Sequence, residues 1–370
     1  MWRYVTKINS DMPKFKRIAI KIGSNVLTHK DGTLDTERMA RLVDQIAQLR
    51  GQGIEVILIS SGAMASGRSA LKLEKEPDPV SARQIFSSIG QARLINEYYE
   101  LFLKHGIYCG QVLTTKESLS TRGHYLNQKN CIAQLLQHGV IPIINENDTI
   151  SVTELMFTDN DELSGLVATM MDAEALIILS NIDGIYTGNP ADPASQIIRE
   201  VDYNQDLAKY IQTTKSSFGR GGMLTKTNIA RKVAAEGITV IIANGKKDGI
   251  LTALMNEDSD TLCTMFLPSK REVSSVKKWI AHSESFAKGE ITINETASKV
   301  LMSEKASSIL FVGIIAVSGD FEKGDIITIK DFEGNAIGVG KAQYDSRKMT
   351  QFMGHKGLRP AVLYDYLWIN

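Results

Sequence analysis

Three cysteines are all the chain has, and Cys109, Cys131 and Cys263 form no CxxC pair. That excludes a zinc ribbon and a dithiol redox motif, and the thiols read as reduced and buried. Charge of one sign is also missing. Lys plus Arg number 42 and Asp plus Glu number 42, so no net charge is available for coating nucleic acid or an anionic membrane. Long apolar runs are absent as well. The longest uncharged stretch, Asn130 to Asn145, is broken by Gln134, Gln137, His138, Gly139 and Pro142, and falls short of the ~18 apolar residues of a membrane helix. Met1 to Arg17 carries scattered charges and no apolar core of the signal-peptide kind. These absences lead to the expectation of a soluble, cytoplasmic protein. At 43% hydrophobic and 23% charged residues, a disordered chain is excluded too.

What is present is an alternation of strand and helix signals over the first two-thirds. Short β-branched or apolar runs occur at Arg17–Ile22, Glu55–Ser60, Ile107–Leu113, Val140–Asn145, Ala175–Leu179 and Ile238–Ala243. Helical spacing runs from Thr36 to Arg50, with Met39, Leu42, Val43, Ile46, Ala47 and Leu49, and again from Thr225 to Ala235. Near-continuous apolar strands separated by helices predict an α/β domain with a parallel sheet covered on both faces. The character changes near Pro268. Ser269 to Lys278 is polar and charged, and beyond it come short strands and a Glu333-Gly334-Asn335 turn between Ile326–Lys330 and Ala336–Lys341. The expected division is a domain over 1–268, a linker over 269–279 and a small β domain over 280–370.

In an open α/β sheet, ligands bind beyond the carboxyl ends of the strands. Four polar clusters fall there: Lys21-Ile22-Gly23-Ser24-Asn25, Ser60-Ser61-Gly62-Ala63, Asn145-Glu146-Asn147-Asp148 with Asp159-Asn160-Asp161, and Gly219-Arg220-Gly221-Gly222-Met223-Leu224-Thr225-Lys226. Glycines and small residues before a helix admit an anion to its free N–H groups. The crowd of acids and amides suits a cation or an ammonium. GxxxxGK[ST], GxGxxG and HExxH do not occur. Joint placement on one sheet favours phosphate chemistry beside an amine-bearing ligand.

In this order the motifs resemble those of the amino acid kinase family, and within it the glutamate 5-kinase branch. The matching residues are Lys21-Ile22-Gly23-Ser24, Ser60-Ser61-Gly62-Ala63 with Gly67-Arg68, Ile144-Asn145-Glu146-Asn147-Asp148, Asp159-Asn160-Asp161, Asp183-Gly184-Ile185-Tyr186-Thr187 with Asn189-Pro190, and Gly221-Gly222-Met223 with Thr225-Lys226. The C-terminal part is similar to a PUA domain through Gly289-Glu290-Ile291-Thr292-Ile293 and Gly319-Asp320-Phe321 with Lys323-Gly324-Asp325. The resemblance implies an amino acid kinase fold, a largely parallel sheet sandwiched by helices, followed by a β-barrel-like PUA domain.

It also implies transfer of the ATP γ-phosphoryl group to the side-chain carboxylate of L-glutamate, the first step of proline biosynthesis. Lys21 and Lys226 match the phosphate-contacting lysines, and Asp161 the acid that orients them. Ser61, Asp148 and Asn160 match glutamate-binding positions, with Asp148 facing the α-ammonium. Lys21, Ser180, Asn181 and Arg220, Gly221, Gly222, Met223, Leu224, Thr225 and Lys226 match the nucleotide-binding positions. Asn181 stands where the family more often has Asp, and Arg220 where a small polar residue is usual. Mg2+ would be held mainly by ATP phosphates and water. Further implications are feedback inhibition by proline, a homo-oligomer and a functional link to glutamyl 5-phosphate reductase. The alternatives are a different carboxylate acceptor, which Asp148 disfavours where the amine is acylated, and RNA binding through the PUA domain. Against the latter, acidic and basic residues nearly balance over 281–370, whereas tight RNA binding needs a basic face.

Overall fold

The computed structural model describes residues 15–75, 77–151, 157, 160–190, 192–205, 207, 222–256, 258–270, 274–303 and 307–369. The chain divides into two compact units. One runs to Arg271 without Ser120–Tyr125, and the other joins Ser120–Tyr125 to Glu272–Asn370. The hydrophobic clusters follow this division, one drawn from residues 15–265 and the other from residues 291–369.

The first unit is built on β1 (Arg17–Ile22), β2 (Glu55–Ser60), β3 (Cys109–Thr114), β4 (Ile141–Glu146), β5 (Ala175–Ser180), β6 (Glu200–Asp202), β7 (Thr239–Asn244) and β8 (Cys263–Leu267). They form one sheet in the order β3-β4-β2-β1-β5-β7-β8-β6. Strands β3, β4, β2, β1, β5 and β7 pair in parallel. Every residue of β4 and β5 is buried, because helices cover both faces and leave no solvent side to call for alternation. Strand β8 runs antiparallel to β7, with the short β6 beside it. These two strands the sequence reading did not mark. Strand β1 is central, and the chain leaves it towards β2 on one side and comes back to β5 on the other. Such a reversal opens a crevice at the carboxyl ends of the strands.

The helices are α1 (Ser24–Leu27), α2 (Thr36–Gly51), α3 (Ala63–Ala70), α4 (Pro79–Leu103), α5 (Arg122–Gln137), α6 (Asn160–Met170), α7 (Met223–Ala235) and α8 (Ile250–Met255). Helix α2 buries the predicted stripe Met39, Leu42, Val43, Ile46 and Leu49, and the Asp35 carboxylate caps it by accepting from the Arg38 N–H at 2.9 Å. Helix α4 starts on a strong signal: Asp78 accepts from the N–H groups of Val80 and Ser81, and Pro79 occupies the first turn. Among the described residues no helix is long and apolar enough to cross a membrane.

The second unit holds α9 (Ser275–Ala281), β9 (Gly289–Ile293), α10 (Glu295–Leu301), β10 (Ile314–Gly319), β11 (Ile326–Lys330), β12 (Ala336–Lys341), α11 (Ser346–Phe352) and β13 (Leu367–Ile369). Its sheet has the order β10-β9-β11-β12-β13. The hairpin between β11 and β12 turns at Gly334, whose φ is +90°. The stretch 269–279 differs in part from the expected linker. Ser274 caps α9, and Trp279 and Ile280 are buried in the second unit. Their apolar surface, set in a run of charges, is what draws this segment into a core.

Candidate active site

Lys21 is the last residue but one of β1, registered between Ile59 of β2 and Ile178 of β5. A lysine in a central strand needs a partner, and it has one. Its Nζ meets Asp161 Oδ1 at 2.5 Å, while Lys226 Nζ meets Oδ2 of the same carboxylate at 2.9 Å. Asp161 is fully buried in the first turn of α6, where unpaired N–H groups also favour negative charge. Burial by itself would push its carboxyl up. The ammonium charges and hydrogen bonds of Lys21 and Lys226 outweigh that and bring the pKa down to about 2. Two cations on one anion leave a site of net positive charge, suited to oxygen atoms on which negative charge accumulates.

Beside Asp161, Asn160 faces a second network. Its side-chain amide donates to Ser61 Oγ at 3.0 Å and to Asn145 Oδ1 at 3.0 Å. Ser61 is held from the backbone, its N–H donating to the Ile22 carbonyl at 3.1 Å. Gly62, with φ of +108°, then turns the chain from β2 into α3, a conformation that a side chain would strain.

Helix α4 supports this network, which the sequence reading missed. Arg83, Ser87 and Gln91 follow a spacing of four, so they share one helix face. Gln91 Oε1 accepts from Asn145 Nδ2 at 2.8 Å, and the hydroxyl of Tyr98, further along, lies 2.8 Å from Ser60 Oγ. Burial pushes the Tyr98 hydroxyl well above its usual range, so it stays neutral. Arg83 binds Asp148 through Nε at 2.7 Å and through Nη2, and Nη2 also lies 2.9 Å from Glu146 Oε2. Ser87 Oγ donates to Asp148 Oδ2 at 3.3 Å. Close approach of α3 and α4 depends on Gly90, since a Cβ there would lie 1.7 Å from the Ala63 carbonyl oxygen.

The remaining predicted residues that the structure describes lie along the same edge of the sheet. Ser180 ends β5 opposite Asn244 of β7, and Asn181 follows it. The Gly23 N–H donates to the Leu179 carbonyl at 3.1 Å, tying the end of β1 to β5. Gly222 precedes α7, and Met223, Leu224, Thr225 and Lys226 form its first turn. Arg220 and Gly221 lie outside the described residues, as does Asp159. Two further residues gather near Asn181: Asn244 Nδ2 donates to Asp183 Oδ1 at 3.0 Å, and Lys247 Nζ pairs with the same oxygen at 2.9 Å. Partial burial raises the Asp183 carboxyl, but these partners more than offset it and hold it below its usual range. Asn244 and Lys247 carried no motif and were not predicted. Among the described residues no three His, Cys, Asp or Glu side chains are placed to hold a metal ion.

Comparison with known proteins gives the family. The amino acid kinase family model matches residues 16–244, and the PUA domain model matches residues 289–362. A glutamate 5-kinase of Bacteroides thetaiotaomicron is 67% identical over 96% of this chain and 99% of that protein. One from Chlorobaculum tepidum is 46% identical over 96% of this chain and 98% of its own length. Among solved structures, a carbamate kinase from Giardia lamblia bound to AMP-PNP shares the fold. It superposes with a TM-score of 0.50 at 16% identity, over 69% of this chain and 99% of its own. The chain belongs to the amino acid kinase family, in its glutamate 5-kinase branch, and ends in a PUA domain.

Proposed function

We propose that the chain phosphorylates the side-chain carboxylate of L-glutamate with ATP, forming L-glutamyl 5-phosphate at the first step of proline biosynthesis. The observation that carries this reading is the buried Asp161 carboxylate holding Lys21 and Lys226 together at the carboxyl edge of the sheet. A glutamate side chain, with a pKa near ~4.3, is already ionised at neutral pH, so no general base is called for. The task is to bring an anion up to a polyphosphate. Lysines, backbone N–H groups and magnesium do this by neutralising charge where it accumulates.

On this reading Lys21 and Lys226 contact the transferring phosphoryl group and Asp161 sets their spacing. Ser61, Asn160 and Asp148 take the glutamate, with Asp148 facing its ammonium. Ser180, Asn181 and the segment from Arg220 to Lys226 take the nucleotide. Magnesium enters with the ATP, on phosphate oxygens and water, as a hard ion prefers. The two oxygens of Asp161 are already engaged by the lysines.

Proline shares with glutamate an α-carboxylate and a cationic nitrogen, so it would compete for the acceptor position and act as a feedback inhibitor. A homo-oligomer, a cytoplasmic location and a functional link to the reductase that consumes the acyl phosphate belong to the same reading. The decisive experiment is an acyl-hydroxamate assay with ATP, magnesium and a panel of acidic amino acids. L-Glutamate should be strongly preferred over aspartate and N-acetylglutamate. Preference for either of those would overturn the acceptor and leave the kinase.

A further inference from the structure

We propose that Arg83 is a positioning residue for acceptor selection: it fixes Asp148 so that one carboxylate oxygen is offered to the substrate ammonium. The inference rests on the reading of Asp148 as the ammonium's partner. Asp148 lies just past the end of β4, in a turn without strand hydrogen bonds to hold it. Its orientation is set from α4 instead. Nε and Nη2 of Arg83 converge on the same oxygen, Oδ1. Among the described residues, Oδ2 is approached only by Ser87 Oγ, at 3.3 Å. A planar guanidinium donates in fixed directions, so it fixes the carboxylate plane in a way that a lysine cannot.

Relative exposure points the same way. Among the described residues the Arg83 guanidinium meets both Asp148 and Glu146. Glu146 is the inner of the two: its side chain is 5% exposed, and Oε1 accepts the Phe157 N–H at 2.9 Å while Oε2 faces Arg83. The Asp148 side chain is 16% exposed, and one of its oxygens is only loosely held. Asp148 is therefore the outer carboxylate of this cluster, the one placed to meet a cation from outside. The cluster also joins the rest of the acceptor network, because the Glu146 N–H donates to Asn145 Oδ1, which accepts from Asn160 as well.

The test compares glutamate with glutarate, the same diacid without its ammonium, in the full-length protein. Wild type, Arg83→Gln, Arg83→Lys, Asp148→Asn and the double variant Arg83→Gln/Asp148→Asn are assayed by hydroxamate formation and ADP release. Loss of hydrogen bonds to a charged group should raise the KM for glutamate about 10–100-fold in Arg83→Gln. Its kcat and its KM for ATP should stay near wild type, and its kcat/KM for glutarate should not fall. The double variant should be no worse on glutamate than Asp148→Asn alone, and Arg83→Lys should recover part of the loss. Should Arg83→Gln fail to fold, Arg83→Lys, which keeps the charge and loses the fork, still reads out the glutamate-to-glutarate ratio. An equal fall on both diacids would make Arg83 merely structural and overturn the proposal. If Asp148→Asn lowers the ratio while the Arg83 variants leave it unchanged, the proposal fails alone. If Asp148→Asn itself leaves the ratio unchanged, the reading of Asp148 falls and the proposal with it.

Discussion

Asn160 and Asp161 are neighbours in the first turn of α6, yet their side chains serve two networks. Asn160 donates to Ser61 and Asn145, while Asp161 takes Lys21 and Lys226. On the proposed reading, one rigid helix start therefore sets the distance between the acceptor side and the phosphate side. Holding two reactants in register is worth a large part of the barrier when both are anions.

The Lys226→Ala variant should lose turnover by about 10²–10³, the scale for removal of one preorganised transition-state donor. Its KM for glutamate should change little, because Lys226 reaches Asp161 from α7, on the side proposed to meet the phosphoryl group. Steady-state kinetics with glutamate and ATP varied separately checks the split. A large rise in the glutamate KM with turnover intact would place Lys226 on the acceptor side.

Asp161 should also shape the acid limb of stability. Its carboxyl in the folded protein, brought down to about 2 by the ammonium groups of Lys21 and Lys226, lies below the ordinary carboxylate range. A depressed carboxyl stabilises the fold above its unfolded pKa, and that contribution drains away as the pH falls through 4 towards 2. Asp161→Asn leaves the buried Lys21 and the half-buried Lys226 without their anion, so it should destabilise at pH 7. Urea midpoints of wild type and variant should draw together as the pH is lowered to 3. A gap that stayed constant with pH would mean that the carboxylate charge contributes nothing.

Much of this was legible in the sequence, for identifiable reasons. Strands β1, β2, β4 and β5 are apolar almost throughout, and their ends are marked by small or polar residues, so both the sheet and the edge where the candidate residues gather could be read. Lys21, Asp161 and Lys226 each stood in a motif. What could not be read was pairing over distance. Arg83, Ser87 and Gln91 carry no motif, and their shared face appears only once α4 is known to be a helix reaching the turn after β4. Strands β6 and β8 were missed because Glu200–Asp202 is very short and polar and because Cys263–Leu267 owes its place to β7. Trp279 was hidden inside a charged run whose other members suggested solvent.

Proline should bind in competition with glutamate, and Asn160→Ala should weaken both. The Asn160 amide bridges Ser61 and Asn145, so its removal loosens the acceptor side while the Asp161 pair stays in place. Equilibrium binding of labelled proline, titrated with glutamate, measures this directly. Proline binding that persisted at saturating glutamate would point to a separate site.

The last prediction concerns the two units. Their hydrophobic clusters share no residue, and the proposed catalytic residues all belong to the first unit. A unit of this size buries enough surface to fold alone. A chain ending at Arg271 should therefore be soluble, melt cooperatively and form glutamyl hydroxamate. The cut is better placed there than at Pro268, because the Ser269 N–H donates to the Ala234 carbonyl at 2.8 Å and so closes the end of α7. One local cost is foreseeable. Ser120–Tyr125 groups with Glu272–Asn370, and Tyr125 is 3% exposed in the full chain, so the first turn of α5 should fray and the fragment should be more prone to self-association. Hydrogen exchange would show faster amides there, with the strands of the sheet still protected. A folded fragment with protected strands but no hydroxamate activity would mean that Glu272–Asn370 completes the active site, and the assignment of catalysis to the first unit would have to be abandoned.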